Sequence, residues 1–272
     1  MCSHMLRCIY YILVLKGLFL GSGSVLQIFN GLYDSAEIYL CRPHDKYDPR
    51  LGQLNSMEKL EYFIDSIAKL KKISKNDFPG YIKLVDSLIR MRFYYGLQNY
   101  RFSENYLANL AGKLIWYDMG AKVLPDDILK GRKAFCSQSS IVFQEFLRRK
   151  GFQVRSVFLS NHFCTEVLIN GRWQFHDVSY KPQLKSLVNL STEDLLANPK
   201  YLEQAYLYTF AEGFRDNLQG TFTPENISYG EINAFAAPRM AIFHKVTGFL
   251  SWWGWLVFLG MAGVVKIIMK KN

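Results

Sequence analysis

Between Lys245 and Lys266 the chain runs for twenty residues, Val246 to Val265, without one charged side chain. A helix of that length spans about 30 Å, the thickness of a bilayer's hydrocarbon core. Such a segment either crosses a membrane or forms the buried centre of a soluble fold, and core helices rarely stay uncharged for so long. The tail that follows carries Lys266, Lys270 and Lys271. The positive-inside tendency assigns that end to the cytoplasm and the residues before the segment to the other side.

The N-terminal stretch has several readings. Cys8 to Leu15 is apolar, Lys16 interrupts, and an apolar run then continues to Leu32 through Gly21-Ser22-Gly23-Ser24. Arg7 ahead of an apolar run suits a signal peptide or signal anchor, with the Gly/Ser stretch as a processing site. A buried or amphipathic first helix fits the same residues. The expected division is an apolar N-terminal segment 1–33, a catalytic domain 34–212, a connector 213–245 and a transmembrane helix with basic tail 246–269. The connector, with two prolines and three glycines, reads as irregular.

Half of the residues are hydrophobic and 15% are aromatic, which excludes a mainly disordered chain. A formal charge of +10 suits anionic surroundings such as lipid headgroups or acidic polysaccharide. Five cysteines without a CxxC pair point to neither a disulfide framework nor a zinc site, and no cofactor or metal is expected. No nucleic-acid motif accompanies the charge, so no nucleic-acid partner is expected.

Helical spacing marks Met57 to Lys72, Phe78 to Asn99, and Ser103 to Trp116, the last with Ser103 as N-cap. The most informative residues follow at 131–182. Cys136 opens a helix of about four turns that carries Ile141, Val142, Phe143, Phe146 and Leu147 and stops at Lys150-Gly151. A thiol at a helix N-terminus, near Arg132 and Lys133, is favoured as thiolate. A lone buried Cys is also an ordinary core residue.

Asn170-Gly171, between runs rich in Val, Ile, Phe and Trp, signals a two-residue hairpin turn. That register sets Ile169 opposite Arg172, Leu168 opposite Trp173, Glu166 opposite Phe175, and Cys164 opposite Asp177. His162 and Asp177 then share a face as diagonal neighbours, while His176 points the other way. A thiol, an imidazole and a carboxylate in this order are the parts of nucleophilic acyl chemistry. Arg155 and Glu166 read as a structural ion pair.

With these residues in place, the segment resembles the transglutaminase-like superfamily of papain-type Cys-His-Asp cysteine enzymes, in a membrane-anchored, bacterial-type form. The features that carry the resemblance are Cys136 at its helix start, Arg155 in the strand after Gly151, His162 with Glu166 four residues on, and the hairpin Gly171-x-Trp173 ending on Asp177. It covers roughly residues 80–185. The family commonly has Trp two residues after the His and Pro after the Asp, where this chain has Cys164 and Val178.

The resemblance implies an α+β fold, a papain/transglutaminase-like core with N-terminal helices packed on a small antiparallel sheet, joined to the C-terminal transmembrane helix. It implies attack by Cys136 on an amide carbonyl, with His162 as base and then acid, Asp177 as its orienting carboxylate, and the Cys136 backbone N–H at the oxyanion. Family habit offers Trp116 as a second donor; a core aromatic is the competing reading. The expected function is a membrane-anchored hydrolase or acyltransferase acting on peptide or protein amides, with its domain outside the cytoplasm. Its expected partners are membrane lipid and envelope or polysaccharide assembly proteins. The alternative is a non-catalytic transglutaminase-like interaction module at the membrane.

Overall fold

The protein is described here from a computed structural model covering residues 2–33, 47–74, 77–183, 187, 189–207 and 218–271, so Cys41 lies outside the described residues. In chain order the elements are α1 (Cys2–Tyr33), α2 (Met57–Leu70), α3 (Phe78–Arg92), β1 (Tyr94–Tyr95), α4 (Tyr106–Leu114), α5 (Pro125–Leu129) and β2 (Lys133–Ala134). Then come α6 (Cys136–Arg149), β3 (Val154–Leu159), β4 (His162–Ile169), β5 (Arg172–His176), α7 (Thr192–Ala197), α8 (Pro199–Tyr206), α9 (Leu218–Thr221), β6 (Ile227–Tyr229) and α10 (Pro238–Lys271). The chain is thus mixed helix and sheet, with a small antiparallel sheet and a C-terminal apolar helix. It divides into two compact units, one of residues 39–98 and 123–237, the other of residues 1–38, 99–122 and 238–272.

The first unit is built on the four-stranded sheet β5-β4-β3-β6. Asn170 and Gly171 both have positive φ, 51° and 78°, the conformation a type I′ hairpin turn requires. They fix the register Ile169↔Arg172, Leu168↔Trp173 and Glu166↔Phe175, as the sequence predicts. Helix α6 lies on one face, where Gln144 Nε2 donates to Thr165 Oγ1 at 2.9 Å and Ser140 Oγ donates to the Phe163 carbonyl at 3.3 Å. Val142, Phe143, Phe146 and Leu147 of α6 are buried there against Val154, Val167 and Ile169, together with residues of α2 and α3. Burying each such Phe or Leu contributes about 1.5–3 kcal/mol. The other face buries Val157, Cys164 and Phe175 against Leu195, Leu202, Ala205 and Tyr206.

Three local expectations are corrected. Helix α3 stops at Arg92 instead of Asn99, because Phe93 turns extended and Tyr94–Tyr95 pair in parallel with Lys133–Ala134. Helix α4 starts at Tyr106, since Asn105 and not Ser103 supplies the cap, its Oδ1 accepting from Ala108 N–H at 3.1 Å. The connector is not irregular throughout: Ile227–Tyr229 form the edge strand β6 on β3, with Val157↔Tyr229 and Leu159↔Ile227 in register. Three residues are too few to show a period of two, so the partner strand decides this pairing.

The second unit holds α1, α4 and α10. Met5–Asn30 and Pro238–Lys271 are both long and apolar enough to cross a membrane, so α10 begins eight residues before the uncharged stretch, with Pro238 at its first position. The two helices run antiparallel: a Cβ on Gly17 would meet Leu259, and one on Gly21 would meet Trp255, while Ser24 Oγ donates to the Ser251 carbonyl at 2.6 Å. Leu13, Gly17, Leu20, Ser24 and Gln27 are buried at spacings of four and three, and His244, Thr247, Ser251 and Gly254 are their buried counterparts on α10. Large apolar side chains, Phe19, Leu26, Phe29, Phe249, Trp253 and Leu256 among them, point outward. Apart from Leu13 and Leu20, the inward residues are small or polar and the outward ones large and apolar, the inverse of a soluble helix pair and the pattern of helices that associate in lipid.

Candidate functional site

Cys136 is the first residue of α6, held in place by the turn that precedes it. Gln138 Oε1 accepts from the backbone N–H of Phe135 (3.2 Å) and of Gln98 (2.9 Å), and Gln138 Nε2 returns a hydrogen bond to the Gln98 carbonyl (2.7 Å). These bonds pin the helix start to the segment after β1. The thiol is buried, and neither it nor Cys164 is in a disulfide.

His162 is the first residue of β4 and Asp177 immediately follows β5. The imidazole Nε2 lies 2.8 Å from Asp177 Oδ2, and both side chains are sealed from solvent. The diagonal relation expected from the hairpin register is thus realised as a direct contact. Cys136 is among the groups close enough to act on the same imidazole. Of the three residues singled out in the sequence, His162 and Asp177 are in direct contact, and the cysteine whose sulfur lies within 4.8 Å of both is Cys164.

Asp177 is held from four directions. Oδ1 accepts from the N–H groups of Ser179 and Tyr180, each at 3.0 Å, and Oδ2 accepts from the Tyr206 hydroxyl at 2.7 Å as well as facing His162. Burial opposes its charge, yet His162 and these donors outweigh that and hold the carboxyl below its ordinary value. Burial would likewise lower His162, but the Cys164 sulfur and the Asp177 carboxylate beside it leave it well above the usual histidine value. Since burial pushes the Cys164 thiol up to about 12, that thiol is neutral at physiological pH and Asp177 is the charge that matters.

An aromatic wall completes the site. The Tyr180 ring stacks on His162, 4.2 Å between centroids and 11° from parallel, and its hydroxyl is 3.3 Å from that of Tyr95. Tyr95 in turn packs on Phe135, centroids 5.0 Å apart. Burial raises the pKa of both phenols, and Cys136 is among the groups acting on them, so they remain O–H donors near the thiol. The sequence reading missed Tyr95, Tyr180 and Tyr206. Tyr180 was within reach, three residues past Asp177; nothing local marks Tyr206.

The other sequence expectations sort cleanly. Arg155 and Glu166 form an ion pair at 2.7 Å, with Glu166 fully buried and also accepting from Thr192 N–H and Oγ1. The guanidinium sits between the rings of Trp173 and Tyr229, 4.4 and 4.0 Å from their centroids. His176 does point the other way, where its Nδ1 meets Asp86 Oδ2 at 2.8 Å. Trp116 is 59% exposed and belongs to the unit of the terminal helices, so it is not a core aromatic.

His162, Cys164 and Asp177 also offer ligand atoms within 4.8 Å of one another, a donor set a soft divalent ion accepts. Both Asp177 oxygens also take hydrogen bonds from the protein itself. A groove of about 740 Å³ lined by Phe78, Tyr81, Lys150, Phe152 and Gly171 lies by the opposite end of α6 from Cys136 and includes none of the three residues. No known family model matches the chain, and no curated protein matches it.

Proposed function

We propose that the protein is a membrane-anchored thiol enzyme that cleaves or transfers amide or peptide acyl groups through a thioester on Cys136, built on a papain/transglutaminase-like core. The observation that carries this reading is the buried pairing of His162 Nε2 with Asp177, 2.8 Å apart, with Cys136 among the groups that act on the same imidazole. Asp177 fixes the orientation of the ring, and the ring exchanges the proton of the thiol.

His162, charged beside Asp177, carries the proton relinquished by Cys136, and the Cys136 sulfur attacks the carbonyl carbon. The carbonyl electrons move onto oxygen, where the Cys136 N–H and the Tyr95 or Tyr180 hydroxyl are donors of the right kind. Collapse of this intermediate expels the amine, which takes the proton from His162 and leaves the acyl group on sulfur. Water or a second amine then repeats the sequence in reverse and frees the thiol. Neither a metal nor a cofactor enters any step.

The antiparallel pair α1 and α10 brings Arg7 to the same end as Lys266, Lys270 and Lys271. The positive-inside tendency assigns that end to the cytoplasm, which leaves the thiol-bearing unit outside it and suits a substrate in envelope or polysaccharide assembly. The test is trapping. Detergent-solubilised full chain offered peptide and protein amides should form a hydroxylamine-sensitive acyl adduct on Cys136 that His162→Ala abolishes. A folded protein with no adduct, and with Cys136 no more alkylated by iodoacetamide than a denatured thiol control, is instead a non-catalytic membrane module.

A further inference from the structure

The side chains Leu114, Ile115, Trp116 and Tyr117 are exposed by 78, 76, 59 and 60%. Four consecutive large apolar residues bared to water are a liability that single surface hydrophobics are not. They run from the last residue of α4 through the turn that follows it, in the unit that contains α1 and α10.

The level at which α4 joins those helices is fixed by hydrogen bonds. Asn105, its N-cap, donates to Thr247 Oγ1 at 3.0 Å and to the His244 carbonyl at 3.3 Å, and accepts from Ser251 Oγ at 3.1 Å. The Leu107 N–H, one of the helix's unpaired first-turn donors, is taken by Ser251 Oγ at 3.3 Å. On α1, the Leu20 carbonyl accepts from the Tyr106 hydroxyl at 3.2 Å, and Gln27 Nε2 donates to the Ser103 carbonyl at 3.0 Å. The chain returns at the same level, where His244 Nε2 and the Met119 carbonyl are 2.9 Å apart. Ser251 and Thr247 lie inside the uncharged stretch Val246–Val265, so α4 starts within the apolar zone and not above it.

We propose that residues 99–122 are a third membrane element, a re-entrant helix and turn whose tip, Leu114 to Tyr117, is covered by the lipid of the interfacial layer. The inference rests on reading α1 and α10 as membrane spans. It accounts for polar residues in an apolar pair: irregular backbone survives at membrane depth only where its N–H and C=O groups are satisfied by protein, and Asn105, Thr247 and Ser251 do that for the entry of α4. Trp and Tyr are the residues that settle at the headgroup boundary, and exposed Lys113, Arg239 and Lys245 in the same unit suit anionic headgroups.

The experiment uses the full chain reconstituted in vesicles of phosphatidylcholine and phosphatidylglycerol, with a photo-crosslinking diazirine amino acid at one of three positions. Phe249, an outward residue of α10, reports the membrane reading, and Glu58 of α2 reports background. The expected result is a lipid adduct at position 115 comparable to that at 249 and about tenfold or more above that at 58. A lipid adduct at 249 with none at 115 overturns the proposal and spares the spans, as does a crosslink from 115 to a second protein chain. Loss of the adduct at 249 as well overturns both.

Discussion

The Tyr206 hydroxyl donates to Asp177 Oδ2 at 2.7 Å, the same oxygen that faces His162 Nε2. Tyr206 is fully buried at the end of α8, so the carboxylate that orients the histidine is held by a residue from a different layer of the fold. Tyr206→Phe removes one donor from a buried ionised carboxylate and is expected to cost about 1–3 kcal/mol. It also raises the Asp177 pKa. Because a depressed carboxyl pKa contributes stability that is lost as pH falls through it, the acid arm of the unfolding profile should move to higher pH in this variant. An unchanged acid arm, followed by circular dichroism, removes Tyr206 from the site.

His162 has the opposite sign. Its raised pKa contributes stability that is present in full below the ordinary histidine value of about 6.5 and is lost as pH climbs through the folded value. The window in which the pair is doubly charged is therefore bounded below by Asp177 and above by His162. Asp177→Ala should destabilise by about 3–5 kcal/mol, as expected when one partner of a buried pair is removed, and should flatten both arms of the profile.

The two hairpin histidines separate chemistry from architecture. His162→Ala should abolish acyl-adduct formation. His176→Ala should leave that chemistry in place but lower the melting temperature, since Asp86 is fully buried and, among the described residues, would keep only Arg90 as partner. Thermal unfolding and adduct mass spectrometry on the two variants check this together. An adduct that survives in the first and vanishes in the second would reverse the assignment.

Among the described thiols Cys136 should alkylate before Cys164 at pH 6. Cys164 is fully buried with its pKa pushed up to about 12, whereas Cys136 stands at a helix start beside an imidazole. Peptide mapping after brief iodoacetamide exposure reads the order directly. Prior labelling of Cys164 would make Cys164, which lies within 4.8 Å of His162 and Asp177, the reactive sulfur.

Gly17→Leu should drive α1 from α10, because a Cβ at that position would come within 2.7 Å of the Leu259 side chain. Disulfide formation between cysteines introduced as Ser24→Cys and Ser251→Cys, whose parent residues touch at 2.6 Å, is the readout. Undiminished crosslinking in the Gly17→Leu background would show that the seam tolerates bulk.

What the sequence alone determined is local in origin. The Asn170-Gly171 turn imposes a register, and a register with period two places His162 and Asp177 on one face without any knowledge of the rest. The run from Ile141 to Leu147 has the helical period that carries Cys136 to a helix start, and twenty uncharged residues announce α10. Tertiary structure alone decided what crosses long separations. Tyr206 reaches Asp177 from 29 residues away, Asp86 reaches His176 from 90, β6 pairs because β3 has a vacant edge, and 99–122 joins the terminal helices through Asn105. Periodicity and turn chemistry act over a few residues. A hydrogen bond between distant segments leaves no such trace, because either partner alone is an ordinary Tyr, Asp or Asn until the chain has closed the loop between them.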